Sequence, residues 1–320
     1  MAHELVVVNG KAAMAYVGEE PWHGLGQALS EDAPIETWKT EAGFDWNINS
    51  SPVQYAVGDG TYNFNGKTVL HRSDTSAPLS IVSNDYKIVQ PEEVLEFFRD
   101  LVGAAGMKLN TAGVLFGGRR FWAMAETNNW GMLNGNDAIK GNLLLTTSCD
   151  LSTPSIATFC AERVVCNNTL RVALDENNAG RVRVSHSRQF DQREIKAKLG
   201  LINESWEIFM EKCTSLSNYE ISMKKAHDFV YDLVADKNRT VENQKYSIDD
   251  TIVSIMNKFK NGMGNEGKTM WDCVNAITEH YGTEMGRVKS ADVKLWNNFY
   301  GKDANMKDFA FDRAVELVTA

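Results

Sequence analysis

Residues 181–188 carry the side chains of this chain that most suggest a ligand. They read Arg-Val-Arg-Val-Ser-His-Ser-Arg. Alternate side chains of a β-strand point to opposite faces, so Arg181 and Arg183 share one face with two serines, and Arg188 lies on the other. Guanidinium groups beside hydroxyls donate hydrogen bonds that suit phosphate oxygens. The segment predicts a short phosphate-binding strand, and its alternative is a solvated edge strand whose arginines discourage pairing with another edge.

A second pair of arginines follows two glycines. Arg119 and Arg120 come directly after Gly117-Gly118, a strong turn signal, and directly before Phe121 and Trp122. Proteins that bind single strands place cations on phosphates and flat rings under bases. We predict that the two arginines contact phosphates and that one of the two rings stacks on a base. The alternative is a solvated turn that precedes two core aromatics.

Residues 262–269 match the phosphate-loop pattern of nucleotide-binding proteins. They read Gly-Met-Gly-Asn-Glu-Gly-Lys-Thr, which fits G-x-x-x-x-G-K-[ST]. Such a loop follows a buried strand, whereas the apolar residues before Gly262 have helical spacing. The plainer interpretation is that Thr269 caps the next helix and Asp272 reaches back to it. A nucleotide hydrolase that uses Lys268 and Thr269 is therefore an alternative to our first prediction.

The other reactive side chains indicate no catalytic centre. Five cysteines without a C-x-x-C pair favour reduced thiols over disulfides or a zinc site. His23, in the Pro-Trp-His-Gly-Leu-Gly segment at 21–26, has no acid or thiol beside it. We predict no metal, no cofactor and no enzymatic activity.

Charge is distributed unevenly along the 320 residues, whose net charge is −9. Residues 1–118 contain 7 Lys/Arg against 15 Asp/Glu, and residues 199–320 contain 15 against 19. Residues 119–198 instead contain 11 against 8. A basic middle between acidic flanks is typical of a local polyanion site, although an ordinary protein with one basic window looks similar. The low overall pI argues against a general DNA coat.

Hydrophobic spacing predicts an α+β fold. Up to about residue 190, short β-like runs form antiparallel hairpins packed on one helix, which begins at Pro91 and ends at Gly106. Beyond that point the apolar residues follow helical spacing, beginning with a stripe from Ile195 to Leu216. We divide the chain into an N-terminal extension (1–50), an α+β core domain (51–190) and a helical C-terminal region (191–320). The predicted strands are 53–57, 62–71, 79–83, 86–89, 109–116, 119–126, 143–148 and 181–188.

No run of about 18 apolar residues is present, and the N-terminus lacks the basic and apolar regions of a signal peptide. We therefore expect no membrane span and a cytoplasmic protein.

Several separate motifs resemble a known family. They are Pro21–Gly26, Arg163–Leu170, Trp271–Tyr281 and Asn298–Gly301. Together they resemble the phage/plasmid-like protein family known as domain of unknown function 932. The resemblance implies a phage or other mobile-element origin and a bacterial cytoplasmic setting. It supplies no established activity and no site residues.

The element order predicted for residues 53–127 is also similar to the curved sheet packed on a helix in phage single-strand annealing proteins. That similarity implies single-stranded DNA as the partner, and a homo-oligomer in which subunits form rings or filaments. We therefore predict a single-stranded DNA-binding or annealing protein of recombination or replication. A non-enzymatic protein-binding factor, for example an anti-defence or host-takeover protein, is a further alternative. The predicted nucleic-acid-binding residues are Arg119, Arg120, Phe121, Trp122, Arg181, Arg183 and Arg188.

Overall fold

The fold is that of a computed structural model, which describes residues 7–8, 11–18, 26–163, 168–171, 181–186, 202–237, 245–284 and 290–320. Several predictions lie wholly or partly outside the described residues. They concern Arg188 and the end of the 181–188 strand, the Pro21–Gly26 segment except its last residue, residues 164–167 with Cys166, and the helical stripe before residue 202.

Strands dominate the first part of the described chain and helices the second, so the predicted α+β class is confirmed. The strands are β1 (Val7–Val8), β2 (Lys11–Ala12), β3 (Met14–Val17), β4 (Gln27–Leu29), β5 (Ile48–Val57), β6 (Gly60–Arg72), β7 (Pro78–Ser83), β8 (Lys108–Leu115), β9 (Arg120–Leu133), β10 (Asp137–Ser148), β11 (Ser155–Arg163), β12 (Asn168–Arg171) and β13 (Arg181–Val184). The helices are α1 (Ile35–Glu41), α2 (Pro91–Ala105), α3 (Ile202–Asn218), α4 (Met223–Lys237), α5 (Lys245–Asn261), α6 (Met270–Thr283), α7 (Ala291–Phe299) and α8 (Lys302–Thr319).

One large sheet organises the molecule. Its strands follow the order β12-β11-β10-β9-β8-β3-β4, and β13 pairs with β11 beyond the stretch that β12 occupies. All of these pairs are antiparallel except β3–β4. A second sheet has the order β5-β6-β7, and β1 pairs with β2.

Helices cover both faces of the large sheet, and one hydrophobic core forms on each face. On one face, Phe159 of β11 lies 6.0 Å from Trp206 of α3 between ring centroids. On the other face, Trp122 of β9 lies 5.5 Å from Phe299 of α7. The first core takes buried side chains from both sides of residue 190. The domain boundaries at residues 50 and 190 stay predictions.

Helix α2 confirms its sequence signals. Gln90 and Glu93 form a capping box at its start, and Gly106 ends it with a φ of 66°, in the left-handed region that glycine adopts without strain. Within the described part of the chain, no helix has both the length and the apolar character that a membrane span requires.

Two local predictions are wrong. Residues 86–89 form no strand. Instead, the Lys87 N–H donates to the His186 carbonyl (2.8 Å) and the Tyr86 hydroxyl to the Ser148 carbonyl (2.9 Å), so the segment lies against the end of the large sheet. The turn at Gly117-Gly118 is longer than two residues, because a 3-10 turn occupies 116–118 before β9 begins. Gly118 has a φ of 104°, and a Cβ there would lie 2.8 Å from Arg72. Glycine is thus needed at this position for conformation and for close packing.

Candidate functional site

The register of the large sheet brings two of the predicted arginine segments to the same end. Arg120, at the start of β9, pairs with Ser148 at the end of β10. Arg183 of β13 pairs with Ile156 near the start of β11. Side chains two residues apart on a strand share a face, so Arg120 lies on the same face as Trp122, which α7 covers. Arg183 lies on that face too, because the register connects Trp122 to it through Thr146 and Ile156.

Arg120 is enclosed by two aromatic rings and a carboxylate. Its Cζ lies 4.3 Å from the ring centroids of both Phe116 and Trp296, and its Nε lies 3.6 Å from Asp150 Oδ2. Burial lowers the pKa of Arg120, and the charge of Asp150 opposes that change. Arginine nevertheless stays charged in proteins, and a desolvated cation–π contact contributes up to about 2 kcal/mol. Arg120 therefore fixes the position of Trp296. This enclosed geometry does not favour the predicted contact between Arg120 and a phosphate.

A pocket of about 300 Å³ adjoins Trp296. Its wall combines Arg183, which is exposed, with two aromatic rings whose centroids are 5.3 Å apart, those of Trp296 and Tyr300. Ser152 and Thr153 complete its polar side. A cation, polar loop residues and a flat aromatic surface in one open pocket suit a planar ring attached to an anionic group. We call the group Arg120, Asp150, Arg183, Trp296 and Tyr300 the sheet-end site.

The loop that joins β10 to β11 is held firmly beside this pocket. Ser148 Oγ donates to the Thr153 carbonyl (2.8 Å) and accepts from the Thr153 N–H (3.2 Å). Asp150 Oδ1 accepts from the Ser152 N–H at 3.0 Å. These bonds hold Asp150 beside Arg120 and hold Ser152 and Thr153 beside the pocket, so the site is largely preorganised.

His186 supports the same loop without adding positive charge. Its Nε2 lies 3.1 Å from the Thr153 carbonyl oxygen, and its ring stacks on Tyr86 at 4.8 Å between centroids. Burial lowers the pKa of His186 below its ordinary value, so the ring is mostly neutral at pH 7. His186 therefore adds little positive charge to this end of the sheet, where exposed Lys87 and the arginines carry it.

The remaining sequence-predicted residues have different positions. Arg119 is exposed, and its Nε donates to the Phe116 carbonyl at 2.8 Å. Arg181 pairs with Thr158 of β11 at the start of β13. The alternation predicted for this strand is confirmed where side chains are described, because Val182 and Val184 are buried on the other face.

The predicted base-stacking role of Phe121 and Trp122 is wrong for this fold. Phe121 is 0% exposed and Trp122 is 1% exposed. Phe121 packs 5.6 Å from Trp46 between ring centroids, in the first core, and Trp122 packs on Phe299 in the second. The aromatic ring that reaches the pocket is Trp296. Sequence reasoning missed it because the contact with Arg120 joins residues far apart in the chain.

Residues 262–269 do not form a phosphate loop. Helix α5 precedes them, and the guanidinium of Arg163 donates to the carbonyls of Met263 (3.0 Å) and Gly264 (2.7 Å). The loop thus turns carbonyl oxygens toward a cation, whereas a phosphate loop turns N–H groups toward an anion. The Thr269 hydroxyl accepts from the Asp272 N–H at 3.1 Å, so the predicted helix cap is confirmed.

This geometry predicts different effects on stability for two neighbouring substitutions. Thr269→Ala should lower the free energy of unfolding by about 1 kcal/mol, through loss of the cap. Lys268→Ala should leave it unchanged, because Lys268 is exposed and pairs with the exposed Glu266. Urea unfolding followed by circular dichroism measures both. Saturable binding of Mg²⁺-ATP that Lys268→Ala abolishes would restore the nucleotide-binding alternative.

The described cysteines are buried and unreactive. Burial raises the pKa of Cys149, Cys160 and Cys273 to about 12 in each case, so these thiols stay protonated at neutral pH. Among the residues that the structure describes, no group of three or more His, Cys, Asp or Glu is placed to hold a metal ion.

Comparison with known proteins places the chain in a family. A family model described as Domain of unknown function (DUF932) matches residues 78–298, which include Arg120, Asp150, Arg183 and Trp296 of the sheet-end site. Searches of curated proteins and of solved structures found no match. Because the family model matches more than half of the 320 residues, the chain belongs to the DUF932 family.

Proposed function

We propose that this protein binds single-stranded nucleic acid, in the first instance single-stranded DNA, through the sheet-end site. The observation that supports this is that exposed Arg183 and the ring of Trp296 line one open pocket. Arg183 contacts a phosphate, and Trp296 stacks on the neighbouring base. Stacking of this kind contributes about 1–3 kcal/mol per base and tolerates any base, because every base has a flat face.

Arg120 positions the tryptophan ring. Its guanidinium lies against Trp296, and Phe116 and Asp150 in turn contact Arg120. Exposed Arg119 extends the cationic surface at the same end of the sheet. The acidic remainder of the chain keeps other polyanion contacts unfavourable, so binding is local.

One copy of the chain binds weakly, because few cations are available to it. If Arg119, Arg181 and Arg183 each neutralise one phosphate, log K falls with log salt concentration at a slope of about −2, at roughly −0.7 per contact. Several copies on one strand would gain avidity, since each later contact is intramolecular. Such avidity would suit a role in annealing or recombination on a mobile element. We propose that more specific role because of the resemblance to single-strand annealing proteins.

The proposed stacking predicts a specific loss of affinity. Trp296→Leu keeps an apolar side chain beside Arg120 but removes the aromatic ring, so affinity for a labelled poly-dT oligonucleotide should fall about tenfold, or roughly 1.4 kcal/mol. Fluorescence anisotropy at low salt measures this loss, and circular dichroism confirms that the variant is folded. Equal affinity of Trp296→Leu and the unmodified protein would contradict the stacking contact. No binding at all to the unmodified protein at low salt would contradict the proposed function.

A further inference from the structure

Strands β5 and β6 project beyond the sheet to which they belong. Strand β7 pairs with β6 only from Lys67 to His71, whereas the β5–β6 pairing continues outward to Val57 and Gly60. We call residues 54–63 the arm. Each arm residue is exposed except Gly60, which is partly exposed. An isolated two-stranded hairpin is at best marginally stable in water. We therefore expect another surface to cover the arm.

The arm has one apolar face and one polar face. The pairs Tyr55–Tyr62 and Val57–Gly60 lie on the apolar face. The two tyrosine rings stack at 5.7 Å between centroids, and the Tyr62 ring lies over Gly60, where a Cβ would approach it to 2.8 Å.

On the opposite face of the arm, the Gln54 amide donates to Asn63 Oδ1 at 2.9 Å, and Ala56 pairs with Thr61. Both faces of the arm are exposed to water. On the apolar face, Tyr55, Val57 and Tyr62 are respectively 49%, 61% and 52% exposed. Exposed apolar patches on a folded protein mark interaction surfaces.

We propose that the apolar faces of the arms of two copies of this chain pack on each other in an antiparallel, two-fold arrangement. The charges of the arm and its base favour this partner. Asp59 lies at the exposed tip and Lys67 at the exposed base. Antiparallel packing places the tip of each arm against the base of the other, so Asp59 of one copy faces Lys67 of its partner. The two contacts are equivalent by symmetry.

The same charges disfavour a nucleic acid as the occupant. Residues 54–63 contain no Lys or Arg, and Asp59 at the tip repels phosphate. The chain as a whole carries −9, so two copies repel each other unless they meet where negative charge does not accumulate. Residues 54–67, with one Asp and one Lys, provide such a surface.

The available area sets the strength of this dimer. Aromatic side chains bury about 150–250 Å² each, so half-exposed Tyr55, Tyr62 and nearby Phe64 offer on the order of 100 Å² apiece. With Val57, two arms bury on the order of 800 Å² in total, below the roughly 1,200 Å² of stable complexes. The dimer is therefore weak and its population depends on concentration. It does not depend on the proposed nucleic-acid binding.

Sedimentation velocity over a wide concentration range tests the proposal on the full chain. The unmodified protein should shift from monomer to dimer as concentration rises. The double variant Val57→Ser/Tyr62→Ser should weaken dimerisation about tenfold or more, because it removes the central apolar contacts. Ala56→Ser, on the polar face of the same strand, is the matched control and should dimerise normally. The arm contributes nothing to the two cores, so both variants should keep the circular dichroism spectrum of the unmodified protein.

Charge reversal tests the antiparallel arrangement itself. Asp59→Lys alone and Lys67→Asp alone should each weaken the dimer, and the combination of the two should restore it. A strict monomer at every concentration overturns the proposal. So does a dimer that the apolar double variant leaves intact, because the interface would then lie elsewhere.

Discussion

Replacing Arg163 with methionine should lower the free energy of unfolding by about 3–5 kcal/mol, one of the two largest effects that we expect in this chain. The Arg163 side chain is 4% exposed, and its Nε lies 2.7 and 2.8 Å from the two carboxylate oxygens of Asp137. Its Nη atoms also donate to the carbonyls of Met263 and Gly264. Methionine fills much of the same volume, but it leaves a buried carboxylate without its cation and two carbonyls without donors.

Urea unfolding measures the effect of Arg163→Met, with Arg313→Met as the matched control. Arg313 forms an exposed pair with Glu316, and its loss should cost less than about 0.5 kcal/mol. Equal effects of the two substitutions would show that the buried cluster adds nothing beyond an ordinary surface ion pair.

Phe121→Ala should destabilise the protein by about 3–5 kcal/mol, because it opens a cavity in the first core. The ring is fully buried, 6.0 Å from Phe44 and 5.6 Å from Trp46 between centroids. Phe121→Leu fills part of that space and should retain a larger share of the stability.

The leucine variant separates the structural role of Phe121 from the base-stacking role that the sequence suggested. At a temperature where Phe121→Leu is folded, its affinity for single-stranded DNA should equal that of the unmodified protein, as measured by anisotropy. A large loss of affinity in the folded variant would show that the ring contacts the nucleic acid.

Local patterns were sufficient to predict some helices and hairpins, but not α1 or α7. Helix α2 has its capping box and its terminal glycine within one short segment, and Thr269 with Asp272 forms the predicted cap of α6. Strand β11 could not be predicted from alternation, because Ser155–Ala161 are buried on both faces of the sheet. A strand covered on both sides shows no polar face in its sequence.

The sheet-end site was only partly predictable, for a related reason. The arginine content of the 119–120 and 181–183 segments was visible in the sequence, but burial of Phe121 and Trp122 depends on helices packed over each face of the sheet. The role of Trp296 depends on α7, which Asp292 anchors by accepting from the Phe116 N–H at 2.6 Å. Such long-range contacts leave no local spacing that a sequence pattern could reveal.

The most direct test of the proposed function is one anisotropy titration of single-stranded DNA with Arg183→Glu and Arg313→Glu side by side. Both arginines are exposed, and the two substitutions change the net charge equally, so only position differs. We expect Arg183→Glu to lose affinity by about tenfold or more, with a shallower salt dependence, while Arg313→Glu stays close to the unmodified protein. Equal losses for the two variants would contradict a phosphate contact at the sheet-end site, because the effect would then follow net charge alone.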